Sequence, residues 1–94
     1  MAWTPSGLST ALAVTDQGVS QPIQLSAFQC RVYNAGPSDC RIRYTNAPQT
    51  PDDYDMIVPA GLLEVHGKVG AGFVNAKTKT GETTTLHIMP GSGD

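Results

Sequence analysis

The chain has 94 residues, a formal net charge of −2 and a charged fraction of only 15%. A length near 100 residues is typical of a single domain. The sparse, slightly acidic charge excludes a disordered charged tail and a direct nucleic-acid-binding surface. No stretch approaches the roughly 20 apolar residues that span a bilayer, so we expect no membrane partner.

Short alternating segments between glycine and proline turns predict an all-β protein. No window of helical length carries an apolar stripe that is free of Gly or Pro. The period-2 alternation predicts strands at 8–14, 19–25, 27–34, 40–45, 56–59, 62–67, 71–77 and 83–89. About seven or eight short strands with frequent turns are typical of a small antiparallel β-sandwich or a jelly-roll-like barrel. We expect an N-terminal arm at 1–7, the β-sandwich domain at 8–90 and a flexible C-terminal tail at 91–94.

The clearest predicted unit is a hairpin whose turn lies at 34–39. On its incoming strand Cys30 and Val32 share one face, and on the return strand Cys40 and Ile42 do the same. Such alternation indicates that one face packs on a core while the other meets solvent or a partner. Two inward cysteines on adjacent strands allow a cross-strand disulfide. We expect buried free thiols instead, because the chain is expected to be made in a reducing cytoplasm.

The outer face of the predicted hairpin concentrates positive charge. Half of the six basic residues lie there: Arg31, Arg41 and Arg43. One interpretation is a solvated face on which the aliphatic stems cover the sheet. The other is a docking face for carboxylates, which Arg binds with two hydrogen bonds. The acidic loop that would meet it on a neighbouring copy carries Asp52, Asp53 and Asp55.

The remaining candidate residues indicate a partner surface rather than chemistry. Trp3 is the single tryptophan, and near a terminus it either packs back on the sandwich or anchors the arm in a partner's pocket. His66 and His87 stand alone without metal-ligand spacing, so we interpret them as exposed polar residues. No pairing of titratable groups typical of a catalytic site occurs, and we expect neither an enzyme nor a cofactor or metal.

Four segments resemble a known group of proteins. They are RVYNAGP at 31–37, CRIRY at 40–44, MIVPAG at 56–61 with the following Glu64-Val65, and TTTLHIMPGSG at 83–93. In these segments the chain is similar to small β-sandwich virion proteins of tailed bacteriophages, over roughly residues 27–93. The resemblance implies a virion component with no catalytic or binding motif to carry over.

The resemblance implies a function on the outside of the fold. We expect a head decoration, or cement, subunit that binds the major capsid protein and stabilises the shell. We also expect a homo-oligomer, with a trimer favoured, located on the capsid surface after synthesis in the host cytoplasm. No signal peptide is expected, because the first basic residue is Arg31. The alternatives are a small carbohydrate- or ligand-binding β-sandwich module and a tail or connector structural protein.

Overall fold

The computed structural model describes residues 4–5, 9–23, 29–51, 56–67 and 71–92. Within these ranges the regular structure is entirely β, and no helix is long and apolar enough to cross a membrane. The strands are β1 (Thr4–Pro5), β2 (Thr10–Val14), β3 (Val19–Pro22), β4 (Gln29–Pro37), β5 (Cys40–Thr45), β6 (Met56–Val58), β7 (Leu63–Gly67), β8 (Phe73–Lys77) and β9 (Thr84–Ser92). The predicted all-β class is confirmed.

The strands form two antiparallel sheets with a jelly-roll order. In the first sheet β9 pairs with β4 on one side and with β1 and β2 on the other, and β7 pairs with the far side of β4. The second sheet has the order β3-β8-β5-β6. The orders β2-β9-β4-β7 and β3-β8-β5-β6, with the chain passing repeatedly between sheets, are those of an eight-stranded double Greek key. The short β1 extends the β2 side of the first sheet.

The core lies between the two sheets and follows the predicted alternation. Apolar side chains from six strands meet there because residues two apart share a face. They are Leu12, Val14, Cys30, Val32, Cys40, Ile42, Val58, Val74, Ala76, Leu86 and Ile88, with Val19, Ile23 and Tyr44 packed against them. Both cysteines are buried, and neither forms a disulfide.

The predicted hairpin is wrong, although both of its strands exist. β4 lies in the first sheet and β5 in the second, so the chain crosses the sandwich at Ser38 and Asp39 instead of reversing within one sheet. Gly36, with φ of +85°, sits at a register shift in the pairing of β4 with β9 and supplies the bend. Arg31 therefore lies on the outer face of the first sheet. Arg41 and Arg43 lie on the outer face of the second.

The sandwich extends past the expected bounds of 8–90. Thr4 and Pro5 pair with Ser92 and Gly91, so part of the expected arm and part of the expected tail form one antiparallel ladder. Pairing of this kind ties down both ends of a domain.

Candidate interaction surface

Strand β7 turns its apolar residues outward. Its sequence LEVHG has two faces, and the face packed against the interior carries Glu64 and His66. Leu63 and Val65 point the other way and are 54% and 41% exposed, whereas His66 is 6% exposed. An amphipathic strand normally buries its apolar face. This orientation leaves apolar surface for something outside the domain to cover.

The polar groups that β7 buries are satisfied by a link between the sheets. The Tyr44 hydroxyl lies 2.6 Å from His66 Nδ1, and His66 Nε2 lies 2.8 Å from Glu64 Oε1. A carboxylate only accepts, so Nε2 of His66 donates to Glu64, and Nδ1 shares the second hydrogen bond with the Tyr44 hydroxyl. Burial, with smaller contributions from nearby acidic groups, raises the pKa of Tyr44 well above its ordinary value, which keeps this hydroxyl a donor. The prediction that His66 is exposed is therefore wrong.

Six large apolar side chains with exposures of 41–54% cluster around this strand. We call the group the apolar margin: Tyr33, Met56, Ile57, Leu62, Leu63 and Val65. Five of them lie on β6, on β7 or in the four-residue connection between the two strands, and Tyr33 lies opposite Leu63 in the ladder of β4 with β7. Tyr33, Leu63 and Val65 lie on the outer face of the first sheet, whereas Ile57 pairs with Arg41 on the outer face of the second. Exposed apolar side chains at one edge of a small domain are typical of an interaction site.

The apolar margin coincides with an edge of each sheet. Within the described residues β7 pairs only with β4, and β6 pairs only with β5. The Tyr44–His66 contact and the short β6–β7 connection place both edge strands on the same side of the sandwich. Unpaired edge groups beside exposed apolar side chains favour the docking of another polypeptide.

The arginine prediction is only partly compatible with this surface. Arg31 lies beside Val65 and Met89 on the outer face of the first sheet, next to the apolar margin. Arg41 and Arg43 are on the opposite sheet, so the structure does not unite the three arginines in one docking face. His87 is exposed, as predicted, and its ring stacks on Tyr33 with centroids 6.1 Å apart. The other candidate residues, Trp3, Asp52, Asp53 and Asp55, lie outside the described residues.

The sequence contains a signal for the apolar margin that alternation alone does not reveal. Met56, Ile57 and Val58 are consecutive apolar residues, as are Leu62 and Leu63. An edge strand of a two-layer sandwich buries one face only, so consecutive apolar residues leave some exposed. The sequence pattern therefore indicates that some of these apolar side chains are exposed, but it does not indicate which ones.

Asn34 is a buried polar residue that the prediction placed in a turn. Its side chain is inaccessible to solvent and donates to the carbonyls of Ser38 and Val58, at 2.9 and 2.8 Å. Its oxygen accepts from the Gly36 amide at 2.9 Å and from the Thr84 hydroxyl at 2.6 Å. All the hydrogen-bonding capacity of the amide is used. The residue thus fixes the corner at which the chain leaves one sheet for the other.

A second buried amide, Asn75, holds a loop against the outer face of the second sheet. Its oxygen accepts from the Ser20 hydroxyl at 2.6 Å and from the Gln49 backbone amide at 3.0 Å. Its nitrogen donates to the Arg43 carbonyl and to the Thr45 hydroxyl. These hydrogen bonds hold the loop over the outer face of the second sheet near Asn75, whereas the apolar margin stays exposed.

The buried thiols provide a testable consequence of the core packing. Burial raises the pKa of the Cys40 thiol from 9.0 to about 11. An unfolded chain loses this proton near pH 9 while the folded chain keeps it, so the free energy of unfolding should fall between pH 9 and 11. The expected loss is about 2 kcal/mol, at about 1.4 kcal/mol for each unit of pKa shift.

Urea unfolding at pH 8, 9, 10 and 11 measures this dependence. Cys40→Ala is the control, because it removes the thiol contribution and leaves that of Tyr44, whose raised pKa acts in the same direction. An identical pH dependence in Cys40→Ala would contradict the assignment to the thiol.

Within the described part of the chain, no group of three or more His, Cys, Asp or Glu side chains is placed to hold a metal ion. No protein family model, curated protein or solved structure matches this chain.

Proposed function

We propose that this chain is a structural assembly subunit that docks on other protein surfaces through the apolar margin. The observation that carries the proposal is the orientation of β7, which exposes Leu63 and Val65 while it buries His66 and turns Glu64 inward. Tyr44 and Glu64 satisfy the buried His66 within the domain, whereas the outward Leu63 and Val65 stay 54% and 41% exposed. An outside partner that covers the two apolar side chains provides a physical reason for it.

We further propose a tailed-phage virion as the setting, with the chain as a head decoration subunit that binds the major capsid protein. The sequence segments within 31–61 and 83–93 support this setting. In addition, jelly rolls are frequent among viral capsid and lectin domains. The fold argument is an analogy, because one fold serves many functions. Weak single contacts suffice on a lattice, since several neighbours raise the avidity. A trimer on local three-fold positions remains our expectation.

The test uses a double variant, Leu63→Asp with Val65→Asp, and measures assembly. Both side chains are exposed, so the free energy of unfolding of the monomer should change by less than about 1 kcal/mol. Sedimentation velocity over a range of concentrations should show the wild-type chain associating and the variant monomeric. Cosedimentation with procapsids and with expanded heads should show saturable binding that the variant loses.

Ala11→Asp is the matched control, because it adds a carboxylate to an exposed position of β2 at the opposite side of the first sheet. It should leave both association and capsid binding unchanged. A wild-type chain that stays monomeric and ignores both kinds of particle would overturn the proposal. Saturable sugar binding by the monomer, sensitive to substitution of Tyr33 or His87, would favour the carbohydrate-binding alternative.

A further inference from the structure

The outer edge of β7 presents backbone hydrogen-bonding groups from the same residues that expose their apolar side chains. The Asn34 amide donates to the Leu62 carbonyl at 3.0 Å, and this pair continues the register of β4 with β7. Facing residues in an antiparallel ladder alternate between pairs that exchange hydrogen bonds and pairs that do not. Two residues on, Glu64 therefore binds β4 through its backbone. Leu63 and Val65 direct their N–H and C=O groups away from β4, towards an edge with which no described strand pairs.

Strand β7 lacks most of the features that protect an edge strand from pairing with another chain. Its sequence LEVHG contains neither lysine nor proline, and its ladder with β4 runs from Leu63 to Gly67 without a register shift. The one protective feature is the inward carboxylate of Glu64. A strand that places another carboxylate opposite Glu64 would be repelled. A suitable partner strand must therefore offer a hydrogen-bond donor at that position.

We infer that β7 pairs with β7 of a second copy of this chain, antiparallel and about a two-fold axis at Val65. This inference rests on the docking function proposed for the apolar margin. In this register Val65 faces Val65 of the second copy, and Leu63 faces its Gly67. Glu64 faces the second copy's His66, whose ring carries an N–H group, and a carboxylate can accept more hydrogen bonds than the one that Glu64 already accepts. The second copy thus supplies the donor that Glu64 requires.

Side-chain chemistry selects this register among the two-fold alternatives. The faces of the joined sheet stay continuous only when the strands slide by two residues at a time. A slide in one direction places Glu64 opposite Glu64, where like charges are destabilising. A slide in the other direction places His66 opposite His66 and takes Leu63 past Gly67, out of the ladder. A two-fold contact gives a dimer, so the expected trimer requires a second, different surface.

Disulfide cross-linking of Val65→Cys tests the register, with copper–phenanthroline as the oxidant. Facing residues that exchange hydrogen bonds have Cα atoms about 5.5 Å apart, within the range that a disulfide spans. We expect a covalent dimer linked through residue 65 and identified by mass spectrometry. The wild-type chain is run in parallel because it contains the buried Cys30 and Cys40, and it should give no covalent dimer.

Leu63→Cys is the matched control, because residue 63 is exposed on the same face of the same strand. In the inferred register the two copies of residue 63 are offset by the distance from Leu63 to Gly67, roughly 14 Å along the strands. This separation is too large for a disulfide. Leu63→Cys should therefore stay uncross-linked.

Val65→Pro tests the strand pairing separately from the apolar contact. Proline keeps an apolar side chain but removes the N–H that would donate to the second copy. That N–H lies outside the ladder with β4, so the monomer should still fold. Sedimentation velocity should show association weakened about tenfold or more, because the symmetric contact loses two donors at once.

Three results would overturn the inference: no disulfide through residue 65, equal cross-linking of Leu63→Cys, or undiminished association of Val65→Pro. Cosedimentation of the wild-type chain with capsid particles is measured in the same preparations. Saturable cosedimentation alongside any of the three results would leave the proposed docking function standing while the strand pairing fails. The two proposals are therefore distinguishable.

Discussion

Replacing Asn34 with alanine is expected to lower the free energy of unfolding by about 3–5 kcal/mol, since each buried partner left unsatisfied costs about 1–3 kcal/mol. The two carbonyls that lose their donor belong to Ser38 and Val58, and the two donors that lose their acceptor belong to Gly36 and Thr84. A domain of this length has a total stability of roughly 5–14 kcal/mol. One truncated amide therefore removes a large share of it.

Urea unfolding followed by circular dichroism measures the effect of Asn34→Ala. The control is Asn46→Ala, because Asn46 is exposed and its replacement should change the stability by less than about 0.5 kcal/mol. Asn34→Asp is a sharper probe: it keeps an acceptor for Gly36 and Thr84 but places a carboxylate oxygen against two carbonyls. It should therefore be at least as harmful as alanine at pH 7 and less harmful once the carboxyl is protonated. A loss below about 1 kcal/mol for Asn34→Ala would contradict the role of Asn34 as a fixed corner.

Replacing Leu86 with alanine is expected to lower the free energy of unfolding by about 2–5 kcal/mol, the range for truncating a buried leucine. Leu86 is fully buried in β9, the strand that pairs with β4 on one side and with β2 on the other. Its register partners are Leu12 and Asn34. The neighbouring residues on β2 and β4 are held by their ladders with β9 and can move little into the space. We therefore expect the cavity to persist and the loss in free energy of unfolding to lie in the upper part of that range.

Thermal and urea unfolding provide the measurement for Leu86→Ala, with Leu62→Ala as the matched control. Leu62 is 49% exposed, so the same truncation at this position should cost less than about 1 kcal/mol. Equal losses at the two positions would contradict the placement of the core between the sheets.

The strands and their inward faces were predictable because alternation is a local property of the sequence. All of the predicted strands occur, with ends that differ by a few residues, and the four residues predicted to share the core face of β4 and β5 are buried. A two-residue period dictates which side chains share a face, whichever strand lies beside them. The short β1 was missed because a two-residue strand has no period.

The partner of a strand was not predictable in the same way. The segments that became β4 and β5 alternate as a hairpin would and are separated by a glycine-proline turn. They nevertheless occupy different sheets. An inward face looks the same whether the neighbouring strand lies beside it or across the core. What decides between the two here is the hydrogen-bonding of Asn34, which reaches β6 and β9 over separations of 24 and 50 residues.

The apolar margin was not predictable from the sequence for a related reason. LEVHG has one apolar and one polar face, and alternation alone suggests that the apolar face is buried. The opposite orientation depends on Tyr44, which lies 22 residues from His66 in the chain and satisfies it across the sandwich.

The ladder between Thr4–Pro5 and Gly91–Ser92 places the first and the last described residues of the chain side by side. A short glycine-serine bridge would join the two ends without spanning the domain, and the chain could then be reopened in the exposed 46–50 loop to give a circular permutant. Foreign peptides attached beyond the two strands of this ladder would emerge side by side as a pair. That geometry makes this small scaffold suited to displaying two epitopes at one point on a particle surface.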